Sequence, residues 1–295
     1  MVASHPAPAL ERVVLTVSIY QRLILPYLDA RRGYGVDDAR FCEHAWAFPN
    51  AQAMAKRDQQ AAQQLGHEPD PDWARRHVLS AALDRCDGWR LVRGQAARLM
   101  RDIEVVGQWP KQPFIALGTH WGAGLPTLAH LNQSGLGPKF VYRQEPQTVF
   151  RTRAERWAHG VHLRALEICG GSITLGGAYA QILEGLNSGQ TPVILVDAPA
   201  DGRPTLTGQA PSFTLNVREG LLNMLCRERL PFVFYRCGFD PKTGRRQLWI
   251  GSETLEDDPQ AIANQAADHL ARAFAIDTAQ WRLWMVADAL LKPAS

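Results

Sequence analysis

From Asp102 onward the chain is a succession of short apolar runs, each cut off by glycine, proline or a polar cluster: DIEVVG, PFIALGTH, PKFVYR, GSITL, TPVILVDAP, PFVFYRCGF and RRQLWIG. Several hold about five apolar residues in a row, the pattern of strands buried on both faces. Helical patterns stand between them at 125–131, 150–169, 177–187 and 219–229, and a last helical stretch is expected over 259–291. Strand and helix in alternation predict an α/β fold with a central mixed, mostly parallel sheet flanked by helices. Ahead of the runs, Ala51 to Leu65 is built from strong helix formers, Gly66 to Pro71 interrupts it, and Trp73 to Leu99 resumes apolar residues at helical spacing. The expected organisation is a helical N-terminal region, 1–102, packed on an α/β core, 103–295, in one continuous domain.

The 295 residues are 46% hydrophobic and 21% charged, enough to build a sizeable core and too apolar for a disordered chain. Lys+Arg 32 against Asp+Glu 29 leaves +3, too balanced for a protein that holds nucleic acid by neutralising many phosphates. Five cysteines without a CxxC pair suggest neither a disulfide framework nor a zinc ribbon, and a reducing cytoplasm is the simpler setting. Val13 to Leu28 is apolar but interrupted by Gln21, Arg22 and Pro26, short of the roughly 20 residues a bilayer span needs. Its one-faced pattern fits a helix on the core or in a membrane interface.

In open α/β sheets, ligands bind beyond the carboxyl ends of the strands. Three polar clusters stand there: Thr119-His120-Trp121-Gly122-Ala123-Gly124, Arg143-Gln144-Glu145, and Asp197 to Arg203, which includes Asp201. His120 leads as a proton-transfer group, because its ordinary pKa is close to neutral and the glycines after it admit a substrate. A satisfied core histidine is the competing reading. No GxSxG elbow, P-loop or GxGxxG is present, which counts against serine hydrolase, NTPase and dinucleotide-binding readings.

The stretch GTHWGAGLP resembles the first motif of the bacterial lysophospholipid acyltransferase superfamily, especially its lipid A lauroyl/myristoyl acyltransferase branch. The resemblance continues in order through FVYR, ITLGGAYAQILEGLNSGQTPVILVDAPADG, REGLLNMLCRERLPFVFYR and the terminal WRLW, and spans roughly residues 75–290. It implies a glycerolipid acyltransferase-like fold and acyl transfer from a coenzyme A or acyl carrier protein thioester to a hydroxyl or amine. The acceptor it implies is lipid-like or a small amphiphilic metabolite. Beyond that co-substrate it implies no cofactor and no metal. In the family the histidine is the general base, which here is His120, and a carboxylate five residues later orients it.

Five residues after His120 stands Leu125. Three replacements are open: a carboxylate from a neighbouring strand end, with Glu145 first and Asp197 second; a backbone carbonyl; or loss of activity, leaving an acyl-chain- or partner-binding protein. Thioester hydrolysis is a further alternative.

Arg143 and Arg203 are the expected anion contacts, forking onto a phosphate of the acceptor or of the donor's phosphopantetheine. Asp197 and Asp201 resemble the family's paired-acid segment, although its downstream aromatic pair is replaced by Leu206-Thr207-Gly208. Gly122 and Gly124 could present N–H groups to an oxyanion or simply make a tight turn. Thr119 and Trp121 complete the expected substrate-binding set. Arg151, Arg153 and Arg156 beside Trp157 form a basic stretch, either a solvated face or a contact for an acidic carrier protein or anionic lipid. His159 and His162 share a helix face without a third ligand nearby, and Cys169 lacks an assigned base. The expected location is cytoplasmic, peripheral to the inner membrane.

Overall fold

A computed structural model describes residues 49–101, 103–143, 153–200, 202–240 and 245–294. The amphipathic Val13–Leu28 segment, Glu145, Arg151 and Asp201 lie outside them.

Among the described residues, helix α1 (Pro49–Gln64) and α2 (Trp73–Val92) come first, and the chain turns through 93–95 into the short α3 (Ala96–Arg101). There follow β1 (Ile103–Val106), β2 (Ile115–Gly118), α4 (Gly124–Gln133), β3 (Pro138–Tyr142), α5 (Arg153–Cys169), β4 (Ser172–Thr174), α6 (Ala178–Asn187) and β5 (Thr191–Leu195). A hairpin of β6 (Thr205–Gln209) and β7 (Phe213–Arg218) precedes α7 (Glu219–Arg227), β8 (Phe232–Phe239), β9 (Arg246–Ile250) and α8 (Pro259–Asp277). The chain closes with two 3₁₀ turns, α9 (Ala287–Leu290) and β10 (Leu291–Pro293).

The seven apolar runs are the seven strands of one sheet, in the order β1-β9-β8-β2-β5-β3-β4. All neighbours are parallel except β8 and β9, so the sheet is mixed and mostly parallel. The runs do not alternate because both faces are covered. On β2, Ile115 and Leu117 enter one core, with α8 and the hairpin, while Ala116, together with Phe114 just before the strand, enters the other, with α4 and α5. On β8, Phe232 and Phe234 join the first core; Val233, Tyr235 and Cys237 join the second. At the sheet's edge the pattern relaxes: Val105 and Val106 of β1 are exposed, since an edge strand has no second neighbour to bury it.

Two expectations are corrected. The helical stretch over 259–291 ends at Asp277, whose carboxylate accepts from Ala279 N (3.0 Å) and starts a 3₁₀ turn instead of another helical one. Beyond it Trp281 has extended backbone (φ −77°, ψ 137°) and pairs with Trp121 as an antiparallel bridge. The second is the hairpin, which sequence reasoning passed over although its signal is present. Phe213, Leu215 and Val217 are fully buried and alternate with Thr214, Asn216 and Arg218. Together with β6 and β10 it forms a separate three-stranded antiparallel sheet.

Among the described residues, no helix is long and apolar enough to cross a membrane.

Candidate active site

Strands β2 and β5 are parallel neighbours with Gly118 opposite Leu195, and Val196 N donates to Gly118 O (2.9 Å). Extending that register two residues past the strand ends sets His120 beside Asp197. Gly118 is needed at the end of β2 because a Cβ there would come within 2.6 Å of the Tyr235 ring. At Gly122 φ is +72°, and a Cβ would come within 2.0 Å of Cys237 O, so only glycine lets the loop turn this close to β8.

The Asp197 carboxylate is wholly buried and surrounded by donors. The His120 backbone N–H donates to Oδ1 (3.0 Å) and Oδ2 (2.8 Å), His120 Nδ1 donates to Oδ1 (2.8 Å), and Trp281 Nε1 donates to Oδ2 (2.8 Å). Burial alone would push the Asp197 carboxyl up, but the imidazole beside it and these hydrogen bonds together hold it below the usual carboxylate range. A carboxylate can only accept, so Nδ1 carries a ring proton, and in the neutral imidazole Nε2 keeps its lone pair. The His120 side chain is 30% exposed, Asp197 not at all.

His120 lines a cavity of about 980 Å³, at the upper end of the roughly 300–1,000 Å³ usual for small-molecule sites. Phe140, Val141, Leu175, Ile182, Ile194 and Met224 supply apolar wall. Arg143, Arg203 and Arg218 also line it. Arg218 escaped the sequence reading because it ends a strand of the overlooked hairpin; its guanidinium donates to Pro199 O (3.1 Å from Nε).

The histidine loop is tied to the segment after α8. Gly122 N donates to Gln280 O (2.9 Å), Arg282 N to His120 O (3.0 Å), Arg282 Nη2 to Gly122 O (2.6 Å), and Trp121 Nε1 to Asp277 O (2.8 Å). Helix α2 anchors that segment in turn, through Trp73 Nε1 to Thr278 Oγ1 (2.7 Å) and the Asp84–Arg282 ion pair (2.8 Å).

The structure thus brings His120, Arg143 and Arg203 to one cavity, with Asp197 buried behind His120 and not lining it. Thr119, Trp121, Gly122 and Gly124 do not line it. Trp121 is buried with its ring over Gly238, and the Gly122 N–H is committed to Gln280, which makes the tight turn the part Gly122 plays. Leu125 is 2% exposed, its methyl close to Gly88 of α2, so the position five after the histidine belongs to the second core. Trp281 carried no role in the sequence reading beyond membership of WRLW, because nothing in spacing places residue 281 beside residue 197. Burial pushes the Cys169 thiol up to about 12, which removes it as a nucleophile near neutral pH. His162 is pushed down, chiefly by burial, with Asp84 nearby.

An imidazole with a fixed tautomer, open to a cavity and braced by a buried carboxylate, is the equipment of a general-base enzyme. The apolar cavity wall with cations along it suits an amphiphilic, anionic substrate. No family model and no curated protein matches the chain. Among solved structures it is similar to the 1-acyl-sn-glycerophosphate (LPA) acyltransferase PlsC of Thermotoga maritima, at 12% identity and a TM-score of 0.33, over 87% of this chain and 96% of that one.

Proposed function

We propose that the protein is an acyltransferase in which His120 is the general base and Asp197 orients it. The observation that carries this reading is the His120 Nδ1–Asp197 Oδ1 hydrogen bond of 2.8 Å at the rim of a largely apolar cavity. The ordered resemblance of residues 75–290 to the lysophospholipid acyltransferase superfamily supports it. Nε2 takes the proton of an acceptor hydroxyl or amine as its oxygen or nitrogen attacks the thioester carbonyl. The new C–O or C–N bond forms, the C–S bond breaks, and the thiolate leaves with the proton returned by the imidazolium. A thioester is already activated, so one base, one orienting group and some donors for the oxyanion are sufficient machinery.

The acyl chain occupies the apolar part of the cavity. Arg143, Arg203 and Arg218 meet a phosphate, from the acceptor or from the phosphopantetheine of a coenzyme A or carrier-protein donor. The acceptor is lipid-like or a small amphiphilic metabolite, and the enzyme works at the cytoplasmic face of the inner membrane as a peripheral protein. Within the superfamily the motifs resemble those of the lipid A lauroyl/myristoyl acyltransferase branch.

Purified protein given an acyl thioester and lipid extract should release free thiol, and His120→Ala should abolish that release. Equal release by the variant would remove His120 as the base. Analysis of the acyl product separates transfer from hydrolysis, in which water is the acceptor.

A further inference from the structure

We infer that Trp281 is a positioning residue of the His120–Asp197 pair, its indole N–H fixing which carboxylate oxygen faces the imidazole. The inference rests on the proposed role of His120. Both Trp281 and Asp197 are fully buried, and the indole nitrogen lies 2.8 Å from Oδ2 while His120 Nδ1 lies 2.8 Å from Oδ1. The two side chains thus hold opposite oxygens of one carboxylate. An indole N–H can only donate, so it accepts no substitute for an acceptor at Oδ2.

The indole is itself held rigidly. Trp281 packs edge-on against Trp284 (4.8 Å between ring centroids) and Phe274 (5.5 Å), and its backbone N–H donates to Thr278 O (3.2 Å). The segment carrying it grips the histidine loop through Gln280 and Arg282 and is pinned to α2 through Thr278 and Arg282. With the aromatic cluster around the ring, the carboxylate is aimed by a part of the chain distant in sequence from both members of the pair. Without the indole, Oδ2 keeps only the His120 backbone N–H, which it shares with Oδ1, and the carboxylate loses one of the two side-chain donors that aim Oδ1 at Nδ1.

Trp284 supplies the control. It belongs to the same aromatic cluster and is equally buried, but its indole donates to Thr278 O (3.0 Å) and not to Asp197. Trp281→Phe should lower kcat for thiol release about tenfold with KM within about twofold, the loss expected for one hydrogen bond to a charged group, while Trp284→Phe keeps kcat within about twofold. Equal loss in both variants would make Trp281 a packing residue only and overturn the inference.

A second arm is independent of turnover. In nitrogen-15 spectra the Trp281 indole proton should be downfield and protected from exchange, as expected for a bond to a charge, and should move upfield in Asp197→Asn while the other indoles stay in place. An indole spectrum indifferent to Asp197→Asn would overturn the contact. If the indole signal moves but wild-type protein releases no thiol, the transferase reading falls and the Trp281 contact stands. Should Trp281→Phe fail to fold, replacing the indole by a benzothiophene, which keeps the bicyclic shape and loses only the N–H, carries the kinetic arm.

Discussion

Replacing Asp197 by asparagine removes one charge and changes almost no volume, and the donors around the carboxylate dictate what happens next. If the amide oxygen takes the Oδ1 position, the amide NH₂ points at Trp281 Nε1, and two donors face each other 2.8 Å apart with no remedy. If the oxygen takes the Oδ2 position, it accepts from Trp281 and from the His120 backbone, and the NH₂ faces His120 Nδ1. Imidazole has a second tautomer and can accept there, so this arrangement wins by the roughly 1–3 kcal/mol that a stranded buried donor costs. Its consequence is that the ring proton moves to Nε2, the nitrogen that must be empty to act as base. A wrong tautomer of this kind costs about 10⁴-fold in kcat in a triad enzyme, near 5.5 kcal/mol of barrier. Thiol release at saturating acyl thioester should therefore fall by about that factor, with a melting curve close to wild type. A variant within tenfold of wild-type kcat would refute the tautomer argument and the orienting role of Asp197.

Three other outcomes are expected. Leu125→Glu, which writes the superfamily's acid back five residues after the histidine, should not raise thiol release and should destabilise the fold by several kcal/mol in urea titrations, because the side chain is buried beside Gly88 (about 2–4 kcal/mol by the usual core costs). Gly122→Ala should lower stability by about 2 kcal/mol or more in the same assay, since φ +72° and the Cys237 carbonyl both oppose a Cβ. His269 is buried with its Nε2–H donating to Tyr235 O (2.9 Å), and burial pushes it down to about 4. The unfolded chain binds that proton near pH 6.5 and the folded one does not, so stability should drop by roughly 3 kcal/mol between pH 6.5 and 4, and His269→Gln should flatten the slope measured by denaturant midpoints.

The sheet was legible because burial on two faces writes an unambiguous local pattern, and all seven runs became its strands. The hairpin was missed for the opposite reason: its alternation is short and interrupted by Gly208, Ala210 and Pro211, and a two-stranded element gives a weak signal alone. The C-terminal helix was drawn too long because apolar spacing continues past Asp277, and only the capping carboxylate of that residue ends it.

His120 announced itself in the sequence, since a histidine between a buried run and two glycines needs no partner to be noticed. Its carboxylate was visible only as a choice among strand ends. Asp197 stands 77 residues away, and the choice depends on β2 and β5 being neighbours in one particular parallel register. Trp281 was beyond reach altogether: its indole arrives from the far end of the chain, on extended backbone held by α2, α8 and the histidine loop. Periodicity and composition record what a residue does to its own segment. Which donors converge on a buried charge is set by how separate segments pack, and that was decided by the tertiary structure.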